Sequence, residues 1–405
     1  MIHQPPAGAR DLLPLEVAQK SWISNRLQKV FHQWGYQRII TSTIESLDTL
    51  MAAGAIDRSS VIQLQDNSQG NLGLRTELTA SISRASANQM AGNTYPQRLY
   101  YRGNIFSRPP GGHDSHQVES YQAGVELLGA GSNRADGEIL LLLVDCLQHL
   151  GLQNWQLMLG EAGLTNLLLA PFPEKVRPQV RYCLANLDYI TLEKLPLSEQ
   201  LLARAKFLFE LRGKPSDVLQ KVSTLDLNLQ GRTIVNNLKS LVELLEKTAS
   251  TSVPLVLDLS FLQTIDYYTG IIFEVVHLGE TNTRVLGKGG RYDNLLGLYH
   301  PQQQSSPGIG FALNMGDLHA SLLTSPQIPQ QTAASEWLVI PETPQAEVAA
   351  FIYAQKLRNS GDFVGIEVEL NSNSSEQIRD YARNRRISRL AWVNASGEAQ
   401  VEVIN

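Results

Sequence analysis

Three short stretches of this sequence carry side chains that are capable of chemistry. The first is a Gly- and Pro-rich segment in which His113 and His116 lie three residues apart, separated by Asp114 and Ser115. Imidazole groups bind zinc, but a zinc site needs further ligands, and none lies nearby in the sequence. This segment is therefore interpreted as a mobile loop, and no metal site is predicted.

The other two stretches place glycines or polar residues inside apolar sequence. Residues 287–293 contain paired glycines, which let the backbone approach a ligand or a neighbouring strand closely. Residues 266–270, DYYTG, place polar groups among aliphatic ones, where they need hydrogen-bond partners. A β-bulge would explain the first stretch, and pairing with adjacent strands would explain the second. Neither stretch assigns a site by itself.

Composition and motif content restrict the function classes. The sequence has no Walker loop, no dinucleotide-binding glycine motif, no nucleophile elbow and no H-E-x-x-H pattern, so no cofactor is predicted. A net charge of −5 argues against a broad nucleic-acid binder, which normally carries a basic face. One local group of arginines is interpreted as a solvated helix and its end: Arg379, Arg383, Arg385, Arg386 and Arg389.

Two further features predict a cytoplasmic protein that is not bound to a membrane. No apolar run is long enough to span a bilayer, and the N-terminus lacks the apolar core of a signal peptide. Cys146 and Cys183 lie in apolar stretches with helical spacing. Because cysteines in such positions are usually core thiols, we expect no disulfide.

Hydrophobic periodicity predicts the elements that would position the candidate residues. An amphipathic helix is predicted to run through Ile23, Leu27 and Phe31 and to end at Gly35. A strand is predicted over 36–44, a hairpin and a further segment over 61–85, and strands over 98–107 and 120–128. A long helix is then predicted from about residue 137 to about residue 150.

The rest of the chain indicates an insertion and a separate C-terminal domain. Residues 165–250 are Leu-rich with helical spacing, and strand character returns at PLVLDLSF and YYTGIIFEVVHL. These features predict an α+β domain over 1–323 with an all-helical insertion in an antiparallel sheet. A linker is predicted over 324–335, and a small α/β domain over 336–405.

Six blocks in fixed order connect these elements: GARDLLP, LRTELTA, YQAGVELLG, IDYYTGIIFE, GKGGRYDNLLG and PGIGFALNM. Their order and spacing resemble the catalytic domain of the class II histidyl-tRNA synthetases over roughly residues 5–320. The resemblance implies a class II aminoacyl-tRNA synthetase-like antiparallel sheet with flanking helices, a helical insertion, and dimerisation through the N-terminal region.

The resemblance also implies an amino-acid pocket. The positions that match the family's histidine-binding residues are Glu77, Thr79, Gln122, Glu126, Tyr268 and Tyr292. Carboxylates can hold an ammonium group or an imidazole N–H, while hydroxyl and amide groups fix the orientation of the ligand. The alternative interpretation is core packing inherited with the fold.

The ATP side departs from the family pattern. The family's F-R-x-E block reads FSRP at 106–109, so the acid is absent and Arg108 is a displaced candidate for the phosphate-gripping role. Gln263 stands where the family has the arginine before its tyrosine block, and Asp317 stands where it has an adenine-stacking arginine. Because loss of a single preorganised donor costs roughly 10²–10³ in rate, we expect no useful adenylate formation.

A synthetase-like chain without its ATP-gripping residues is similar to the regulatory subunits of ATP phosphoribosyltransferase. This resemblance implies a non-catalytic subunit that activates a short-form catalytic subunit in the first step of histidine biosynthesis. It also implies a homodimer within a hetero-oligomer, feedback inhibition by histidine, and no tRNA binding. Three alternatives stay open: a histidyl-tRNA synthetase with an altered ATP site, a ligase that transfers histidine to a protein, and an interaction protein without a ligand.

Overall fold

The chain divides into compact units at a position within the predicted linker. The computed structural model describes residues 5–6, 8–54, 56–66, 70–90, 92, 94–108, 118–261, 267–279, 282–361, 364–371 and 373–404. It forms two units, Met1–Pro329 and Gln330–Asn405. The boundary falls inside residues 324–335, whose assignment as a linker remains a prediction.

The strands belong to three sheets. In chain order they are β1 (Gln37–Arg38), β2 (Ile44–Ser46), β3 (Gln63–Asp66), β4 (Gly70–Leu74), β5 (Gln97–Phe106), β6 (Glu119–Leu128), β7 (Trp155–Glu161), β8 (Arg212–Gly213), β9 (Leu255–Asp258), β10 (Ile271–Leu278), β11 (Thr283–Arg291), β12 (Gly308–Asn314), β13 (Trp337–Pro341), β14 (Ile366–Val368), β15 (Arg389–Val393) and β16 (Ala399–Val403).

The helices flank these sheets. In chain order they are α1 (Pro14–Gln33), α2 (Leu47–Met51), α3 (Thr79–Asn88), α4 (Asn133–His149), α5 (Ala162–Leu169), α6 (Arg177–Ala185), α7 (Tyr189–Glu193), α8 (Glu199–Phe209), α9 (Pro215–Ser223), α10 (Leu229–Thr248), α11 (Leu295–Tyr299), α12 (Met315–Leu322), α13 (Glu347–Arg358) and α14 (Ser375–Arg385).

The main sheet has the order β1-β5-β6-β12-β11-β10-β7-β9-β8. Its central strands, from β5 to β7, are antiparallel, whereas β1 pairs parallel with β5 and β9 pairs parallel with β7. The predicted α+β fold, an antiparallel sheet with flanking helices, is therefore confirmed, with parallel pairs only towards the edges of this sheet.

Helix α1 covers one face of the sheet and matches its predicted position. Ile23, Leu27 and Phe31 are fully buried on one side of the helix. The helix ends just before Gly35, which has φ of +80°. Glycine adopts this left-handed conformation without a steric penalty, and it is common after helix C-termini.

The predicted strand over 36–44 is wrong in its length. Only β1 joins the main sheet, and β2 pairs with β4 in a small three-stranded sheet. Between them, the carbonyl groups of Thr41 and Ser42 accept hydrogen bonds from Arg75 Nη1 at 3.0 and 3.1 Å. A buried guanidinium thus takes the place of a partner strand, and propensity alone could not show this.

The insertion is helical except at one point. Helices α5 to α10 occupy most of residues 165–250, as predicted. The short strand β8, however, pairs antiparallel with β9 at the edge of the main sheet. The prediction of an all-helical insertion is therefore wrong for Arg212–Gly213, where only two residues pair, too few to give an alternating sequence pattern.

The C-terminal unit is a small α/β domain. Its sheet has the order β14-β13-β15-β16, in which β13 is parallel to both β14 and β15. Helices α13 and α14 belong to the same unit. Helix α14 begins with a capping box, in which Ser374 and Gln377 bond to each other's backbone N–H groups.

Two predictions about the class of protein can be compared with the structure. Among the described residues, no helix is both long and apolar enough to cross a membrane. Cys146 and Cys183 are free and buried, as predicted for core thiols.

Candidate functional site

A cavity of about 230 Å³ lies on the face of the main sheet that α1 and α4 do not cover. Alternation along β6 explains its position. Ala123 and Val125 pack in the core with α1, so Gln122 and Glu126 face the opposite side. The structure brings all the sequence-predicted site residues into the lining of this cavity: Glu77, Thr79, Gln122, Glu126, Tyr268 and Tyr292.

Glu126 is the most deeply buried acid of the cavity, with 1% of its surface exposed. Thr79 Oγ1 donates a hydrogen bond to its Oε1 at 2.7 Å, and the Tyr292 hydroxyl donates to its Oε2. Burial raises the pKa of Glu126 to about 8, although these two hydrogen bonds act in the opposite direction. The site therefore holds a carboxyl group that gains from a cationic partner.

Glu77 is the second acid, and it lies at the start of α3. Its Oε1 accepts a hydrogen bond from the backbone N–H of Ala80 at 2.9 Å, and its Oε2 accepts one from the Tyr267 hydroxyl at 3.3 Å. Enclosure by protein raises the pKa of Glu77, and the Glu77 charge in turn raises the pKa of Glu126. Two neighbouring acids with raised pKa values suit a ligand with more than one cationic or N–H group.

Buried arginines fix the backbone that carries these side chains. Arg75, 5% exposed, donates from Nε to the carbonyl of Asn104 at 2.8 Å and so holds the Glu77 segment against β5. Arg291 donates to Asp136 Oδ1 at 2.9 Å from Nε and at 2.6 Å from Nη2. This ion pair, in which two guanidinium nitrogens share one carboxylate oxygen, anchors the end of β11, immediately before Tyr292.

The segment that carries Tyr267 and Tyr268 is hydrogen-bonded to the same end of β11. The backbone N–H of Thr269 donates to the carbonyl of Arg291 at 2.8 Å, and Thr269 Oγ1 accepts from the N–H of Asp293 at 3.0 Å. The rings of Tyr267 and Tyr268 then pack with centroids 5.0 Å apart. Thr269 therefore sets the position of both rings at the cavity.

Two glycines of β12 leave space for the Glu126 carboxylate and the Tyr292 ring. A Cβ at Gly310 would overlap the Glu126 carboxylate and the Val125 carbonyl, and a Cβ at Gly308 would overlap the Tyr292 ring. Glycine in β12 thus allows a close approach of side chains to the strand. The same argument gives the 287–293 stretch a role, because Gly287 and Gly289 also line the cavity.

Sequence interpretation missed several residues of the lining. The structure adds Leu78, Tyr101, Tyr267, Lys288 and Asn314. Tyr267 and Lys288 lie within the stretches 266–270 and 287–293 that the sequence had already singled out. Tyr101 and Asn314 lie in strands whose register only the structure reveals.

Comparison with known proteins shows which family this chain is similar to. A family model described as histidyl-tRNA synthetase matches residues 8–318. The ATP phosphoribosyltransferase regulatory subunit of Gloeothece citriformis (strain PCC 7424) is 60% identical over 407 residues, covering 100% of both chains. That of Nostoc punctiforme (strain ATCC 29133 / PCC 73102) is 57% identical and covers 99% of both chains.

This chain belongs to the ATP phosphoribosyltransferase regulatory subunit family.

Two solved structures share this fold. A crystal structure of an ATP phosphoribosyltransferase regulatory subunit/histidyl-tRNA synthetase from Bacillus halodurans gives a TM-score of 0.81 at 26% identity, over 97% of this chain and 99% of that one. A histidyl-tRNA synthetase from Nostoc sp. PCC 7120 gives 0.80 at 17% identity, over 99% of this chain and 97% of that one. The second similarity supports the fold alone.

Asp317 stands where the resemblance to the synthetases implies an adenine-stacking arginine. Asp317 lies in the first turn of α12 and pairs with Arg284 at 3.7 Å. Partial burial raises the pKa of Asp317, and Arg284 partly opposes this shift. Ser107 donates from its backbone N–H to Val118 and carries no charge. Gln263 lies outside the described residues, as does Pro109.

The other residues that the sequence analysis singled out lie away from the cavity or outside the described residues. Residues 113–116, with their two histidines, are not among the described residues, and neither is Asp266. Within the described part of the chain, no group of three or more His, Cys, Asp or Glu side chains could hold a metal ion. Four of the five C-terminal arginines pair with acids, as in Arg379–Glu402 at 2.7 Å, whereas Arg386 donates to the Gln331 side chain and the Thr332 carbonyl.

Proposed function

We propose that this chain is the regulatory subunit of a two-component ATP phosphoribosyltransferase, and that it acts in the cytoplasm, in histidine biosynthesis. It activates a separate short-form catalytic subunit, and histidine is its effector. The observation that carries this proposal is the similarity to a regulatory subunit at 60% identity over 100% of both chains. This similarity includes the insertion and the C-terminal unit as well as the synthetase-like part.

The cavity supports histidine as the effector. Its volume of about 230 Å³ is below the roughly 300–1,000 Å³ typical of drug-sized ligands, so it suits an amino acid. Glu77 and Glu126 offer acceptors for an ammonium group and an imidazole N–H, while Gln122, Tyr268 and Thr79 provide orienting groups. These are the same residues for which the synthetase resemblance implies a histidine pocket.

The substitutions on the ATP side support a non-catalytic role. Amino-acid activation needs cations directed at the charge that develops on the α-phosphate. Asp317 places an anion where the resemblance implies an adenine-stacking arginine, and Ser107 offers no charge where it implies the phosphate-gripping one. The proposal is therefore that the amino-acid half of an ancestral active site serves as a sensor, whereas the ATP half no longer supports chemistry.

Self-association fits the distribution of apolar surface. Leu12, Leu13, Leu15 and Val17, near the N-terminus, expose between 36% and 70% of their surface. Such a group of exposed apolar side chains is typical of an interaction site. We propose that it contributes to a homodimer within the hetero-oligomer, in the region where the synthetase resemblance implies dimerisation.

Regulation follows from linkage between two sites. Histidine changes the activity of the partner only if it binds two states of the complex with different affinities. By the same reciprocity, substrates that favour the active state weaken histidine binding. The cavity would then report histidine concentration to a catalytic centre that lies in another chain.

Reconstitution tests the proposal. The purified chain is mixed with a short-form catalytic subunit from the same organism, and formation of phosphoribosyl-ATP is followed. Activity that appears only in the mixture supports the proposal, and activity that is unchanged by this chain contradicts it. Histidine-dependent ATP–pyrophosphate exchange, measured on this chain alone, tests the alternative of a synthetase with an altered ATP site.

A further inference from the structure

The lining of the cavity includes a cationic side chain. Among the described residues, Lys288 is the only lysine or arginine that lines the cavity. It lies in β11 between Gly287 and Gly289, and its side chain is 52% exposed. A Cβ at Gly287 would meet Leu313 and one at Gly289 would meet Phe273, both in the core, so Lys288 between them faces the opposite side of the sheet.

Sheet register places Lys288 across the cavity floor from Glu126. Lys288 pairs with Ala312 of β12, and Ala312 pairs with Gly124 of β6, so only small residues separate it from β6 in this row. Glu126 lies in the neighbouring row of β6, opposite Gly310. Two strand spacings and two residues correspond to about 10 Å across and about 7 Å along the sheet. A small zwitterion can bridge this separation when side chains reach it from both sides.

The ammonium group of Lys288 retains donors for a ligand. Its Nζ lies 2.7 Å from Glu274 Oε1, on the adjacent strand β10. An ammonium group has three N–H donors, so a single carboxylate partner leaves others available. Burial raises the pKa of the Tyr268 hydroxyl, and the charges of Glu126, Glu77 and Glu274 raise it further.

Negative and positive side chains therefore lie at different ends of the cavity. Two acids lie at one end, and a cation lies at the other, with Gln122 and Asn314 as neutral polar groups in the lining. A free amino acid has the complementary arrangement, because its carboxylate and its cationic groups are separated by a few bonds. A ligand without a free carboxylate would leave Lys288 without a counterpart.

We propose that Lys288 binds the α-carboxylate of a free amino acid whose cationic groups are held by Glu77 and Glu126. This inference rests on the proposed function and adds a determinant of ligand class to it. Lys288 then distinguishes the free amino acid from its amine, alcohol or ester derivatives. Glu274 competes with the ligand carboxylate for the same ammonium group, and it limits affinity rather than contributing to it.

Binding measurements on the full chain with related ligands test this role. L-Histidine, L-histidinol and histamine share the imidazole and the amine, but only histidine has a carboxylate. We expect Lys288→Ala to raise the Kd for histidine by about tenfold, the lower part of the range for a hydrogen bond between charged groups, because Lys288 is half-exposed. The Kd values for histidinol and histamine should change by less than about twofold, since neither ligand uses Lys288.

A second variant separates ligand binding from a structural role. Glu274→Gln removes the competing anion while it keeps the size of the side chain, so histidine should bind more tightly than in the unmodified chain. Lys247→Ala is the matched control, because Lys247 is a lysine in the insertion helix α10 with 74% of its side chain exposed. The control should leave every Kd unchanged.

Two results would overturn the assignment of Lys288 alone. The first is an unchanged histidine Kd in Lys288→Ala. The second is an equal loss of histidine and histidinol binding, which would show that Lys288 only maintains the cavity or neutralises Glu274. Failure of the unmodified chain to bind histidine would overturn the histidine site itself, and with it this inference. Activation of the catalytic subunit would then still be measured separately, so the two failures are distinguishable.

Discussion

Thr79 Oγ1 lies 2.7 Å from Glu126 Oε1 and donates a hydrogen bond to it, from the first residue of α3 to the C-terminal part of β6. This contact joins two blocks that are 47 residues apart in sequence. With the Tyr292 hydroxyl on Oε2, it engages both oxygens of a carboxyl group that is 1% exposed. A ligand cation would meet an acid that is already oriented, and orientation before binding reduces the entropic cost of association.

The pKa of Glu126 predicts a specific pH dependence of stability. Burial raises it from 4.5 to about 8 in the folded chain. Between these values the folded state retains a proton that the unfolded state has released, so the free energy of unfolding falls as the pH rises through this range. Glu126→Gln cannot ionise, and its melting temperature should fall less between about pH 5 and about pH 9 than that of the unmodified chain. Parallel melting curves would contradict the raised pKa.

Removal of the Thr79 hydroxyl should destabilise the chain and weaken ligand binding. Thr79→Val keeps the shape of the side chain but leaves a buried carboxyl oxygen without this donor, at a cost of about 1–3 kcal/mol in the free energy of unfolding. Urea denaturation measures this cost. Thr233→Val on the exposed face of α10 is the control, and it should change stability by less than about 0.5 kcal/mol. Equal effects of the two variants would show that the Thr79–Glu126 contact has no special role.

A methyl group at Gly310 should close the site. A Cβ at this position would overlap the Glu126 carboxylate and the backbone carbonyl of Val125, so relief requires movement of a central strand. We expect Gly310→Ala to cost about 1–3 kcal/mol or more in stability and to abolish histidine binding, as measured by calorimetry.

Gly92→Ala provides the control for this substitution, since a Cβ at Gly92 meets nothing within 4 Å. It should bind histidine normally. Histidine binding by Gly310→Ala with unchanged affinity would show that the ligand lies elsewhere.

The C-terminal unit should not retain tRNA. Most of its clustered arginines pair with acids of the same unit, as in Arg385–Glu367 at 3.3 Å and Arg389–Glu336 at 3.0 Å, and Arg386 donates to Gln331 and Thr332 instead. Paired arginines leave little net positive charge to neutralise phosphates, and the chain as a whole carries −5. Filter binding should therefore show no preference for histidine tRNA over an unrelated tRNA. Salt-sensitive binding that favours histidine tRNA would contradict this expectation.

Much of the fold was predictable because a helix or strand with one buried face has apolar residues at a regular spacing in the sequence. The spacing of Ile23, Leu27 and Phe31 predicted α1, and the strand patterns of β5 and β6 predicted the strands beside the site. The prediction of a continuous strand over 36–44 was wrong because Arg75, far away in sequence, binds the carbonyl groups that a neighbouring strand would otherwise have bound. Such replacement of strand pairing by a side chain leaves no local pattern.

The candidate site was predictable only in part, and for a different reason. Glu77, Thr79 and Glu126 followed from the resemblance to a family, because acids and hydroxyls at these positions are not distinctive by type alone. Lys288 was visible between its glycines, but its relation to Glu126 depends on the register of three strands. Register arises from pairing over the whole sheet, and single-strand patterns do not determine it.

The most direct test of the account is the histidine response of the reconstituted transferase. Phosphoribosyl-ATP formation by the mixed subunits is titrated with histidine, using the unmodified chain, Glu77→Gln and the control Lys247→Ala. We predict inhibition by histidine with the unmodified chain and the control, and a shift to roughly tenfold or higher histidine concentration with Glu77→Gln. Addition of Glu126→Gln should shift it further. Identical inhibition curves for all the variants would contradict the claim that this cavity senses histidine.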